Sequence, residues 1–236
     1  MEMQSLRMPK ILIIFIPVNE SILKTVFMHV KKNKRSAFTL IELLTVIAII
    51  GILAAILIPT VGAAKNSALK AKTKVQFNQW ATAMSLFKQE YGYYPQVDGG
   101  NGNKVNTNAL AKRFAGALTG KDLVGAKLIT GDANLTGNLK ILSFYSMASN
   151  ELSDATASAL LVDAFGNTDI AVLYDKDGDG MITSADATAP TVTGISATSA
   201  VTPNFTLSAT SGPRVGAAFY SAGKGATATD IVYSWQ

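Results

Sequence analysis

Lys31–Pro59 reads KKNKRSAFTLIELLTVIAIIGILAAILIP: a basic run, a small residue, then a long apolar run holding one carboxylate. From Phe38 to Ile58 there are 21 residues, and Glu42 is their only ionisable side chain. A helix needs about 20 apolar residues to cross the hydrocarbon of a bilayer, so this stretch is expected to span a membrane. Lys31, Lys32, Lys34 and Arg35 are expected to keep the amino terminus in the cytoplasm, which puts everything after Pro59 on the exported side. A carboxylate at membrane depth is costly unless paired or protonated, which marks Glu42 as a functional residue.

A secretory signal peptide carries its cleavage site after the apolar region. Here the small pair Ser36-Ala37 comes before it. The upstream apolar patch ILIIFIPV is too short to span and is interrupted by Pro17, Asn19 and Glu20. Translation starting at Met28 would leave a short basic leader, MHVKKNKRSA, containing His29, the sole histidine. A cut before Phe38 would remove seven basic and two acidic residues and leave 14 of each, so the net charge of +5 belongs to the discarded part. The basic balance is therefore a topology signal and gives no reason to expect a nucleic-acid partner. With no cysteine, an exported domain must be held by packing or by a metal ion.

Ala37-Phe38-Thr39-Leu40-Ile41-Glu42, behind a basic leader and ahead of an apolar helix, resembles the processing site of type IV pilins and type II secretion pseudopilins. The resemblance implies cleavage after Ala37 by a prepilin peptidase and methylation of the new amine of Phe38. Ala37 stands where that family usually has glycine. It further implies that Glu42 neutralises the amine of a neighbouring subunit during assembly; pairing with the chain's own amine, one helical turn away, is the alternative.

The span is expected to continue as one long helix, interrupted by Gly51 and kinked at Pro59, which has no N–H to donate. Phe77, Trp80, Met84, Phe87 and Tyr91 recur at spacings of three and four, the apolar stripe of an amphipathic helix. Lys65, Lys70, Lys72, Lys74 and Lys88 supply its polar faces. Tyr91-Gly92-Tyr93-Tyr94-Pro95 is expected to end it, with Gly92 as a left-handed cap, and this ending is similar to that of major pseudopilins. Asn108–Leu118, closed by Gly120, reads as a short helix, and Lys140–Tyr145 and Ile170–Tyr174 read as strands. Asp163-Ala164-Phe165-Gly166-Asn167 resembles the Asp-Pro-Trp-Gly-Asn turn of major pseudopilins.

Residues 175–186, DKDGDGMITSAD, have the spacing of an EF-hand or dockerin-type calcium loop. Oxygen donors fall at the first, third and fifth places, a turn glycine sixth and a carboxylate twelfth. Asp175, Asp177, Asp179 and Asp186 would supply carboxylates, Met181 its backbone carbonyl, and Thr183 a direct or water-mediated contact. The competing reading is a solvated acidic hairpin that uses Asp-Gly for its turn. Bound calcium is expected to act as a structural clamp. Major pseudopilins commonly bind calcium in the loop before their carboxyl-terminal strand, but here that loop, Lys224–Thr229, keeps only the following Asp230. The Ser/Thr-rich stretch 188–212 is expected to be an exposed insertion, with possible strands at Val192–Ile195 and Phe205–Ala209. Val215–Ser221 and Asp230–Trp235 are expected to be the last strands.

The expected fold is α+β: a long amino-terminal helix, half transmembrane and half amphipathic, packed on a small carboxyl-terminal antiparallel sheet. The divisions are a cleaved leader 1–37, a membrane and assembly helix 38–59, an amphipathic helix 60–94, and a periplasmic domain 95–236. No phosphate loop or nucleophile elbow is present, and no histidine or cysteine follows Phe38, so no enzyme is expected. The resemblance implies a structural subunit of a type II secretion pseudopilus in the bacterial inner membrane. Its partners would be the prepilin peptidase, copies of itself, other pseudopilins, and the inner-membrane assembly platform with its ATPase. A type IV pilin for adhesion, motility or DNA uptake is the alternative, and a membrane-anchored calcium-dependent binding module a third.

Overall fold

The structure, a computed structural model, describes residues 38–99 and 103–236. Two helices, α1 (Leu40–Tyr91) and α2 (Asn108–Thr119), precede three strands, β1 (Ile170–Tyr174), β2 (Ala217–Ser221) and β3 (Val232–Tyr233). The layout is α+β, with a long apolar amino-terminal helix and a small antiparallel sheet ordered β1-β2-β3. The chain forms two compact units, one ending at Leu53 and one running from Ala54 to Gln236.

In the first unit the described residues carry α1 as far as Leu53. Its large side chains are exposed, from Phe38 and Leu40 through Ile50 to Leu53. The most apolar window of α1 is long enough to cross a membrane, and none of it is buried within the chain. A core helix of a soluble domain would be covered by its own fold; this one leaves its apolar surface open.

In the second unit α1 continues through Pro59 without loss of helical form. Proline removes one donor from the helical ladder, and beside it the Thr60 hydroxyl donates to the carbonyls of Leu57 (2.8 Å) and Ile56 (3.4 Å). Further on, Phe77, Trp80, Ala83, Met84 and Phe87 are buried on one face, as their spacing requires. The helix ends at Tyr91, and Gly92 takes the left-handed conformation (φ 84°) that lets its N–H reach the Lys88 carbonyl. α2 is capped at both ends: the Thr107 hydroxyl accepts from the Leu110 amide, and left-handed Gly120 closes the last turn onto Gly116.

The sheet is buried on both sides. Ile170, Val172 and Tyr174 of β1, with Ala217 and Phe219 of β2, belong to the core formed with α1 and α2. There the rings of Trp80 and Phe114 meet edge to face, centroids 4.8 Å apart. The alternate residues Ala171, Leu173, Ala218 and Tyr220 enter a second core with Ile182, Val192, Val201 and Tyr233. Antiparallel register pairs Ile170 with Ser221 and Tyr174 with Ala217, while β3 pairs Tyr233 with Tyr220.

Stretch 188–212 therefore departs from the expected exposed insertion. Val192 and Val201 pair across an isolated bridge, and Phe205 and Leu207 pack on the second sheet face. Phe205 contacts the rings of Tyr220, Tyr233 and Trp235 edge to face. Gly194 lies so close to Gly225 that a Cβ would stand 1.7 Å from its carbonyl oxygen. Neither Val192–Ile195 nor Phe205–Ala209 forms a strand. Nor does Lys140–Tyr145: the amides of Phe144 and Tyr145 both donate to the Leu118 carbonyl at the end of α2, so no ladder partner remains for them.

Candidate functional site

Thr39 and Glu42 shape the start of α1. The Glu42 carboxylate oxygen Oε2 accepts from the Thr39 amide and from the Thr39 hydroxyl, both at 2.8 Å, and the Thr39 hydroxyl accepts from the Glu42 amide at 3.3 Å. This is a capping box, in which residues three apart satisfy each other's otherwise orphaned amides. The Thr39-x-x-Glu42 spacing is its signature in the sequence, and the role of Thr39 was missed there because Glu42 was read only for its charge. Glu42 thus has a local partner at Oε2, and its carboxylate keeps acceptor capacity beyond that partner. Phe38, directly before the cap, is 83% exposed. Ala37, the basic run, Met28 and His29 lie outside the described residues.

The Asp175–Asp186 loop follows β1 directly. Oxygens of Asp175, Asp177 and Asp186 lie within 4.8 Å of one another, so three of the predicted carboxylates converge. Asp179 is outside this group, and its Oδ1 accepts from the Met181 amide (2.8 Å). The loop's own amides hold the carboxylates: Asp175 accepts from Gly178 (2.6 Å) and Gly180 (3.0 Å), and Asp186 Oδ1 accepts from Lys176 (2.8 Å) and Asp177 (3.2 Å). Asp186 Oδ2 takes the amide and hydroxyl of Thr183, at 2.8 and 2.9 Å. Thr183 is therefore buried and committed to Asp186.

Two local fields act on these acids. Burial pushes the Asp186 carboxyl up, but the hydrogen bonds from Thr183, Lys176 and Asp177 outweigh it and hold Asp186 below the ordinary carboxylate range. At Asp177 the Asp179 amide pulls the other way from burial, the charges of Asp179 and Asp186, and the contact with Asp175, which together leave it raised. Lys88 of α1 already supplies one cation: its Nζ is 3.5 Å from Asp175 Oδ2 and 4.5 Å from the centre of the Tyr94 ring. Asp175 and Asp177 oxygens accept at most one amide each and retain lone pairs for a hard cation, whereas Asp186 already accepts four donors and fits one only when a donor gives way. Asp230 does not join them. Its carboxylate is taken by the amide and hydroxyl of Thr227 and lies 3.7 Å from Lys70 Nζ.

Residues 32–58 match the model of the prokaryotic N-terminal methylation motif. Over 81 residues, 34% of this chain, the sequence is 31% identical to the type II secretion system core protein G of Aeromonas hydrophila. Both matches support a type IV pilin or pseudopilin family. The second match spans 57% of that relative's length. No solved structure matches the chain. The motif with its apolar helix fits a membrane-anchored subunit.

The Asp163–Asn167 turn, noted in the sequence only as a resemblance, is a buried organiser. Asp163 Oδ1 accepts from the amides of Phe165 (2.8 Å) and Asn167 (2.9 Å), while Oδ2 accepts from the Ser221 hydroxyl of β2. Asn167 Nδ2 donates to the carbonyls of Thr193 and Gly223. Two hubs had no sequence signal. Glu151 accepts from Trp80 Nε1 (3.1 Å) and the Tyr145 hydroxyl, and Asn138 bonds Tyr91, Ala117 and Leu142 through its side chain.

Proposed function

We propose that the chain is a structural subunit of a type II secretion pseudopilus. It would be cut after Ala37 by a prepilin peptidase, methylated at Phe38, and polymerised through α1 to support protein export. The observation that carries this reading is the methylation motif joined to an apolar helix surface that the chain's own fold leaves uncovered. In the bilayer, lipid covers that surface; in a filament, neighbouring helices and other pseudopilins would. The cytoplasmic amino terminus rests on Lys31, Lys32, Lys34 and Arg35, because an exported body this large is translocated largely regardless of its own charge.

Glu42 is the proposed register element. Before cleavage it serves the capping box with Thr39. Cleavage creates a cation at Phe38, and bringing a neighbour's amine to Glu42 in a low-dielectric bundle replaces two costly isolated charges with a pair. Glu42→Ala should abolish filament formation with the assembly platform and its ATPase present, as read by electron microscopy of sheared filaments. Normal filaments from that variant would contradict the pairing.

We also propose that Asp175, Asp177 and Asp186 hold calcium as a clamp on the end of β1, with Asp179, Met181 and Thr183 contributing only if the loop re-forms around the ion. Bound calcium would supply positive charge that neutralises the converging acids. At one hundred times its dissociation constant it should add about 2.7 kcal/mol of stability. An unchanged melting temperature on moving from millimolar calcium to chelator would reject the clamp.

A further inference from the structure

Between Glu42 and Glu90 the chain contains five lysines and no acid, although the part from Phe38 onward is balanced overall. Four of the five, Lys65, Lys70, Lys72 and Lys74, follow the span within 16 residues of Ile58. At about 100° per residue, Lys65, Asn66 and Leu69 lie on the same side of α1 as Thr73, Gln76, Phe77 and Trp80, the face that carries the core. They stand one to two turns closer to the span than that core. The fold adds a sequence-distant cation there. Asn66, Lys70, Phe165, Ser196, Lys224 and Asp230 line one cavity of about 250 Å³.

Lys70 is engaged with Asp230 and with the Thr229 carbonyl (3.4 Å). Lys65 and Lys224 are exposed and form no ion pair with a described residue. The Cα of Lys65 lies about 10 Å beyond that of Ile58 along the helix. The headgroup layer is roughly 5–8 Å thick on each side of the hydrocarbon, and a lysine stem reaches back toward it. Lys224 lines the same cavity as Asn66, the residue after Lys65, and the field of an anionic surface reaches roughly one Debye length beyond its headgroups.

We propose that this end of the globular unit binds anionic phospholipid headgroups, with Lys65 and Lys224 as the contacting cations, Lys224 at the wall of the cavity that Lys70 also lines. The proposal rests on the membrane-anchored reading of the span. It gives the unassembled subunit a fixed stance on the bilayer, and that contact must be released when the subunit enters a filament. Charge points to lipid over a second copy of the chain: the two groups without an ion pair to a described residue are both cationic, and from Phe38 onward a copy carries no net negative charge to offer them.

Because the chain lacks cysteine, Ala226→Cys gives a unique labelling site beside the cavity. The full-length labelled chain is reconstituted in phosphatidylcholine vesicles with and without 30% phosphatidylglycerol, carrying a quencher attached to lipid headgroups. Each lysine near an anionic surface is expected to change the partition about fivefold. Quenching should rise with phosphatidylglycerol and fall about 25-fold in apparent partition in Lys65→Gln/Lys224→Gln. It should weaken in 0.5 M salt and persist in millimolar inorganic phosphate. Equal quenching in both vesicle types, or in the double variant, overturns the proposal. So does loss of quenching in millimolar phosphate, which would mean a free-anion site, or dependence on protein density rather than lipid charge, which would mean a second copy. Failure of the chain to float with either vesicle would instead overturn the membrane-anchored reading.

Discussion

Thr39 and Glu42 hold the first turn of α1 in a capping box. Thr39→Ala removes the cap and should destabilise the first turn of α1 by about 1 kcal/mol. Amide exchange at residues 41–43 in micelles should then accelerate, and unchanged exchange would remove the capping box from the account. Glu151 carries a pH prediction. Burial is the largest influence on its carboxyl and raises it despite hydrogen bonds from Tyr145 and Trp80. The folded state therefore holds a proton that the unfolded state has released, so Glu151 costs stability as pH rises from the ordinary carboxylate range to its raised value. Asp163, raised chiefly by burial, has the same sign. Asp230, lowered chiefly by the Thr227 hydroxyl, has the opposite sign: its stabilisation is present above the ordinary range and is lost as pH falls through its lowered value. Glu151→Gln should flatten the acid-to-neutral stability slope. It should also cost about 1–3 kcal/mol, because one amide oxygen cannot serve both donors as the carboxylate does. An unchanged slope in denaturant titrations at several pH values would assign the pH dependence elsewhere.

Elements with a local signal were legible. The stripe from Phe77 to Tyr91, the glycine after it, the Asn108 helix with its glycine cap, and the β-branched and aromatic run at Ile170 all carry their instructions within a few residues. Residues 121–163 do not. They are held by Asn138, Glu151 and the Leu118 carbonyl, partners tens of residues away, and no periodicity encodes such links. Stretch 188–212 was misread for a related reason. Its Ala, Thr and Ser composition resembles a surface insertion, whereas only four of its apolar residues are needed to cover the sheet. Phe205 is partly buried, so Phe205→Ala should cost about 1–2 kcal/mol; a change within about 0.5 kcal/mol, typical of an exposed loop, would restore the insertion reading.

At the scale of the molecule, the charges are segregated. The helix beyond the span is purely basic until Glu90, and the converging acids lie after β1. Of the candidate site, the apolar run and its single carboxylate were plain in the sequence, because crossing a bilayer leaves little freedom in composition. The convergence of Asp175, Asp177 and Asp186 also followed from spacing, but the intrusion of Lys88 did not, since it comes from another element. The central claim is that this helix is released by proteolysis to become the packing element of a filament. Mass spectrometry of the protein purified from cells containing a prepilin peptidase tests it most directly. The account predicts a mature chain beginning with N-methylated Phe38; a chain that retains residues before Phe38, or begins elsewhere without methylation, would contradict it.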